Sequence, residues 1–262
     1  VLSDISIPTD GVYAVIGLVD DVVRQQQTAL IHSVLTMNNC AIIGSAGCGK
    51  TTFVQTLLYD LAMRYTPEDV QFYICDYSSG VLKAFETLPH CGGVLNDAFT
   101  SGDQMKRLLR MLGSICDERR KLFDDAGVGN HDAYCKIKKI PAILFVIDNF
   151  MQWATVHENL LPTLQQAVRE YPKYGIHIIM TVNGGNELKY TIRQYVQQYY
   201  TLTLPDTTSY REFNGSSPST LPPRYKGRGV VPYGGMIAEY QTALPVHANN
   251  EALRNNLVRN NL

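Results

Sequence analysis

Short apolar runs alternate with stretches of helical period along most of this chain. Cys40-Ala41-Ile42-Ile43, Val70 to Cys75, Ala142 to Ile147 and Ile176 to Val182 are mostly apolar and only four to seven residues long. Runs of that length, without strict alternation, mark strands buried on both faces. Ala14 to Leu18 reads as a further short strand, followed by the acidic pair Asp20-Asp21 and the glutamines Gln25, Gln26 and Gln27. Between the runs, apolar residues recur at helical spacing. Phe53, Leu57, Leu58, Leu61 and Ala62 do so over Thr52 to Arg64. Met105, Leu108, Leu109, Leu112, Ile115, Cys116 and Leu122 do so over Asp103 to Phe123, with Lys106, Arg107, Arg110, Asp117, Glu118, Arg120 and Lys121 on the opposite face. Another helix is expected from about Asn159 to Glu170, with Pro162 tolerated in its first turn. Strands alternating with amphipathic helices predict an α/β fold with a mainly parallel central sheet, flanked by helices on both faces.

The remaining segments are more polar. Asp124 to Asn130 has loop composition, and Asn214 to Gly229, rich in Ser, Pro and Gly, reads as a long surface loop. The tail from Asn249 to Leu262 reads as a short, polar-faced helix. With no internal repeat and no linker of domain scale, residues 1–262 are expected to form one domain.

Composition narrows the function classes. Hydrophobic residues make up 45% and charged residues 18%, and the net charge of −1 argues against an indiscriminate electrostatic grip on nucleic acid. Six cysteines show no C-x-x-C pairing, so reduced thiols are expected rather than zinc or a disulfide framework. No apolar stretch approaches the roughly 20 residues that span a bilayer. The chain begins at Val1, so a fragment of a longer chain is expected, with room for a membrane anchor elsewhere.

The candidate chemistry begins at Gly44-Ser45-Ala46-Gly47-Cys48-Gly49-Lys50-Thr51, which spells G-x-x-x-x-G-K-T directly between a predicted strand and a predicted helix. Glycines let the backbone curl until several N–H groups face phosphate oxygens, and the helix N-terminus adds partial positive charge. Gly44 to Thr52 are therefore the expected ATP-binding residues. Lys50 would reach the β- and γ-phosphates, and the Thr51 hydroxyl would ligate Mg²⁺. The second Mg²⁺ partner is expected to be an acid ending a neighbouring strand. Asp148 fits best, with Asp76 as second choice because its run is shorter and interrupted by polar residues. The next residue, Asn149, cannot take a proton from water as a carboxylate can, so weak hydrolysis is expected. Asn183, just beyond the last apolar run, either senses the γ-phosphate or merely closes the turn before Gly184-Gly185. Lys50, Asp148 and Asn183 form the candidate catalytic set. Asp20 and Asp21 either line a base or ribose pocket or belong to a solvated loop. His177 reads as a satisfied core histidine, and Trp153 and Met151 as core packing. Arg169, Arg193 and Arg228 are available to reach a neighbouring subunit, although a surface arginine without that duty is the default for each.

With these residues in place, the chain resembles the FtsK/SpoIIIE group of RecA-like P-loop NTPases, whose late strand typically opens on a Gly-[IV]-His start like Gly175-Ile176-His177. Within that group it looks most like a module of the type VII (ESX/WXG100) secretion motor, the EccC/EssC family. The carrying segments are Gly17 to Asp21, Val70 to Tyr73 leading to Asp76, and Leu88-Pro89-His90-Cys91-Gly92-Gly93-Val94. Glu118-Arg119-Arg120-Lys121-Leu122-Phe123 and Gly227-Arg228-Gly229 complete the set. The resemblance implies a membrane-anchored chain with several such modules in tandem on the cytoplasmic side of the cell membrane. Its implied partners are the other modules, further copies of itself, and WXG100-type secreted substrates bearing a C-terminal export signal. Asn149 at the usual Glu position, and Gly184 where an Arg often follows the sensor, make it look like a second or third, degenerate module. In the family the last module can bind the export signal in an apolar pocket, which cannot be mapped onto residues here. The competing readings are a DNA-translocating FtsK-type ATPase and a substrate-recognition module with vestigial nucleotide binding. The first would favour a basic channel loop and an intact hydrolytic Glu, and neither is clear in the sequence.

Overall fold

The computed structural model describes residues 5–22, 24–96, 102–248 and 250–261. Ten strands form one sheet: β1 (Tyr13–Asp21), β2 (Gln26–Ser33), β3 (Cys40–Ile43), β4 (Val70–Asp76) and β5 (Cys91–Asn96), then β6 (Ala142–Asp148), β7 (Ile176–Val182), β8 (Gln198–Thr201), β9 (Arg228–Tyr233) and β10 (Met236–Thr242). The helices are α1 (Lys50–Arg64), α2 (Gly102–Asp125), α3 (His131–Cys135), α4 (Phe150–Val156), α5 (Leu161–Glu170), α6 (Tyr190–Arg193), α7 (Thr207–Asn214) and α8 (Glu251–Asn261). The strand order is β2-β1-β10-β9-β8-β3-β7-β6-β4-β5. From β8 to β5 all neighbours run parallel, while β9, β10, β1 and β2 add an antiparallel wing.

The apolar runs become the central strands because both of their faces are covered. Every residue of β3, β6 and β7 is buried. Period-two geometry then divides each strand between two cores. Ile143, Phe145 and Ile147 join Met105 and Leu109 of α2, Trp153 of α4 and Leu164 of α5 on one face. Leu144 and Val146 join Phe53, Leu57 and Leu61 of α1 on the other. Helices thus flank the sheet on both sides. Among the described residues no helix is long and apolar enough to cross a membrane.

The antiparallel wing departs from the sequence reading. The chain past Ala14–Leu18 does not stay in a loop: β1 runs on to Asp21 and pairs with β2, so Gln26 and Gln27 are strand residues. The Ser/Pro/Gly-rich segment ends at β9, which turns through Gly234-Gly235 at φ 57° and 81° into β10. Such turns need left-handed backbone, which glycine adopts without strain. The helix expected from Asn159 splits into a 3₁₀ turn, Glu158–Leu160, and α5. Leu122 drops out of the α2 stripe at 43% exposure. Trp153 is wholly buried as expected, but Met151 is 49% exposed. In the C-terminal tail, Asn249 and Leu262 lie outside the described residues.

One buried cation organises the far end of the sheet. The Arg119 guanidinium of α2 donates to the carbonyls of Tyr174 (2.6 Å), Gly175 (3.4 Å) and Pro141 (2.7 Å), the residues that lead into β7 and β6. Burial pushes its pKa down to about 10, which still leaves it charged at neutral pH.

A candidate nucleotide site at the carboxyl ends of the central strands

The glycine loop leaves β3 tied to both neighbouring strands. Gly44 N–H donates to Val182 O at 3.1 Å, and Ser45 N–H to Thr203 O at 2.9 Å. The chain then reverses through Gly47 and Gly49, at φ 75° and 109°, and enters α1 at Lys50. α1 has no side chain capping its N-terminus and no acid in its first turn. Its first N–H groups are therefore left for an outside acceptor, as an anion site requires. Gly49 is held closely from behind: a Cβ there would meet Gly227 N at 2.9 Å. Gly227 N–H donates to Cys48 O at 2.8 Å, and Thr242 N–H donates to Gly227 O at 2.8 Å. The β9–β10 hairpin thus clamps the loop.

Lys50 Nζ donates to Gly44 O (2.6 Å), Ser45 O (3.0 Å) and Asn183 Oδ1 (2.9 Å). Beside it, Thr51 Oγ1 donates to Asp148 Oδ2 at 2.7 Å, and Thr181 Oγ1 donates to Asp148 Oδ1 at 2.6 Å. Burial pushes the Asp148 carboxyl above the usual range, opposed by these two hydroxyl bonds. Asp76 lies opposite Asp148 in register, but its oxygens accept from Ser78 N (3.1 Å) and Leu82 N (2.9 Å). It therefore organises its own loop, and Asp148 alone of the two faces Thr51. β7 separates β3 from β6, and Asn183 just beyond its end meets Lys50. The amide of Asn183 is fixed by Glu187, whose two oxygens accept from Asn183 N and Nδ2 at 2.8 Å each. Lys50 and the Gly185–Glu187 turn thus both hold this residue.

Lys50, Thr51, Asp148, Thr181 and Asn183 line a cleft of about 900 Å³, together with Lys226, Gly227, Gln241, Thr242 and Arg254. The FtsK/SpoIIIE family profile matches residues 14–218. The chain belongs to the FtsK/SpoIIIE family. It is 26% identical over 242 residues to the ESX secretion system protein EccC of Thermomonospora curvata, covering 89% of this chain but 18% of that protein. Two solved structures share the fold. EssC (ATPases 2 and 3) from Geobacillus thermodenitrificans superposes with a TM-score of 0.87 at 23% identity, over 98% of this chain and 49% of that one. Thermomonospora curvata EccC (ATPases 2 and 3) in complex with a signal sequence peptide gives 0.83 at 23%, over 96% and 46%. The chain therefore spans about a fifth of the length of that curated relative.

The FtsK/SpoIIIE domain fits a nucleotide and Mg²⁺ by the chemistry of its donors. The uncapped N-terminus of α1 and Lys50 supply N–H groups for phosphate, and Thr51 with Asp148 supplies the hard oxygens that Mg²⁺ takes. Asn149 follows Asp148 in the left-handed region at φ 67° and caps α4. Its amide donates to Tyr77 O at 3.0 Å, and its backbone N–H donates to Thr181 Oγ1 at 2.7 Å.

The structure also bears on the remaining candidates. Asp20 and Asp21 do not reach the cleft; they line a separate cavity with Tyr233 and Ile237 in the antiparallel wing. Arg169, Arg193 and Arg228 each have a carboxylate partner within the chain, respectively Glu170, Glu212 and Glu239. His177 is a core residue, but neither ring nitrogen has a hydrogen-bond partner, so it is not satisfied by the protein. Thr181 and Glu187 escaped the sequence reading. Thr181 carried one signal, since period two puts it on the same strand face as Asn183. The contacts of Glu187 and Gly227 are made through turns whose shape the sequence does not spell.

Proposed function

We propose that this FtsK/SpoIIIE domain binds Mg·ATP between the glycine loop and Asp148, and serves as a weakly hydrolysing module of a type VII protein-secretion motor. The observation that carries the reading is the 2.7 Å bond from the helix-start hydroxyl of Thr51 to the buried carboxylate of Asp148, beside Lys50. Residues Gly44 to Thr52 would cradle the phosphates, with Lys50 and Asn183 toward the β- and γ-phosphates. Thr51 and Asp148 would hold Mg²⁺, which when bound neutralises charge on the phosphates. Weak hydrolysis follows from Asn149: an amide is no general base, and this one is already engaged by Tyr77 O and the start of α4. Losing such a base costs roughly 10² to 10⁴-fold in rate.

The proposed partners are sister ATPase modules, further copies of the chain, and a secreted helical hairpin with a C-terminal export signal. Support for the last is the signal peptide bound by the Thermomonospora curvata relative. The proposed setting is the cytoplasmic face of the membrane. Calorimetry with Mg·ATP and single-turnover hydrolysis test the core of the proposal. Wild type should bind, Lys50→Ala should bind at least about tenfold more weakly, and turnover should fall well below the median enzyme rate of about 10 s⁻¹. No heat from either ATP or ADP on the folded protein would overturn it.

A further inference from the structure

We infer that Arg254, on the C-terminal helix α8, contacts the phosphate chain of a nucleotide held in the cleft. The inference deepens the proposed function and rests on it. α8 begins beyond residue 218, where the family match ends, so nothing in that match speaks for it. The helix is nonetheless docked firmly. Val258 is fully buried in the core shared with Leu57 and Leu58 of α1, and Gln55 Nε2 of α1 donates to Asn255 Oδ1 at 3.1 Å. Asn250 Oδ1 accepts from Leu253 N at 2.8 Å and so caps the helix start.

That docking brings Arg254 into the lining of the cleft, with Thr51 and Thr52 of the first turn of α1 and with Gly227 and Thr242 of the clamp. Its side chain is only 11% exposed, and its Nε is buried without a hydrogen-bond partner. The acid nearest to it, Glu251, stands 4.0 Å away and is itself 60% exposed. Other buried arginines are better served. Arg119 meets three carbonyls, and Arg64 has Asp60 at 2.8 Å. Arg228 also leaves its Nε unbonded, but it faces Glu239 and lies outside the cleft lining. A buried guanidinium N–H without an acceptor is costly unless something supplies one. An anion on the neighbouring helix start does so, and the planar fork of arginine suits phosphate oxygens. Lys50, Lys226 and Arg254 then put three cations around a cleft whose acids are Asp148 and Glu251.

The test is titration of wild type, Arg254→Ala and Arg254→Lys with ATP, ADP and adenosine, each with Mg²⁺. Arg254→Ala should weaken ATP and ADP about tenfold and leave adenosine unchanged, and Arg254→Lys should recover part of the loss. Equal affinities in wild type and Arg254→Ala overturn the inference and leave the nucleotide reading intact. So does an equal loss for adenosine and ADP, because packing alone would produce it. A wild type that binds neither ATP nor ADP sinks both. If Arg254→Ala fails to fold, hydrogen exchange on the wild type decides: amides of residues 251–261 should slow on adding Mg·ADP, and unchanged rates overturn the inference.

Discussion

At the scale of single residues, Asn149 ties the chemistry to the backbone. It lies at φ 67° and ψ 69°, where its short side chain accepts from Gln152 N and donates to Tyr77 O. Asn tolerates this region because its polar group bonds locally, whereas a longer residue meets a cost of roughly 1–2 kcal/mol. Losing the cap adds about 1 kcal/mol. Asn149→Glu is therefore expected to lower unfolding free energy by about 2 kcal/mol in urea titration, whatever it does to turnover. A variant as stable as wild type would show that the position is not constrained. The sequence shows that an amide stands here but not why, because a positive φ leaves no contiguous pattern. The glycine loop is the opposite case. Its requirements fall on eight successive residues, so they can be read in one line.

At the scale of elements, legibility followed burial. β6 and β7 are enclosed on both faces and β4 largely so, and their limits fall within one residue of the apolar runs. In β2 and β10 the buried positions are mixed with exposed or half-buried Gln, Thr and Glu, because an antiparallel wing keeps one face partly in water. Their pairing is set by hairpin turns rather than by hydrophobicity. Arg119 likewise hides within a charged stretch of α2, where neither its burial nor its carbonyl partners can be inferred from neighbours. Arg119→Ala would leave the carbonyls of Tyr174, Gly175 and Pro141 without this donor, and hydrogen bonds to charged groups contribute about 1.5–3 kcal/mol each. A loss of about 3 kcal/mol is expected in denaturant unfolding. A change under about 1 kcal/mol would mean that water serves those carbonyls equally well.

At the scale of the whole molecule, two buried histidines make stability depend on pH. Burial lowers His32 to about 4 and His177 to about 3, from an ordinary 6.5. The unfolded chain therefore takes up these protons first. Their contribution is complete above about pH 6.5 and is lost as pH falls toward 4 for His32 and 3 for His177. Each proton taken up by the unfolded chain steepens the decline by about 1.4 kcal/mol per pH unit. His177 has no hydrogen-bond partner to forfeit, so His177→Leu should be as stable as wild type at pH 7.5. Its decline between pH 6 and 4 should be shallower by up to one proton. Urea midpoints across that range measure both, and an unaltered slope would count against the assignment.

A mechanical consequence follows from the grip of Arg119. One guanidinium holds the chain just before β6 and just before β7, and the opposite tips of those strands bear Asp148 and Asn183. A displacement of α2 along the strand direction would therefore pull on the starts of both strands in step, as a lever with two prongs does. A neighbouring body that leaned on the outer surface of α2 would be felt at Asp148 and Asn183 without ever touching them.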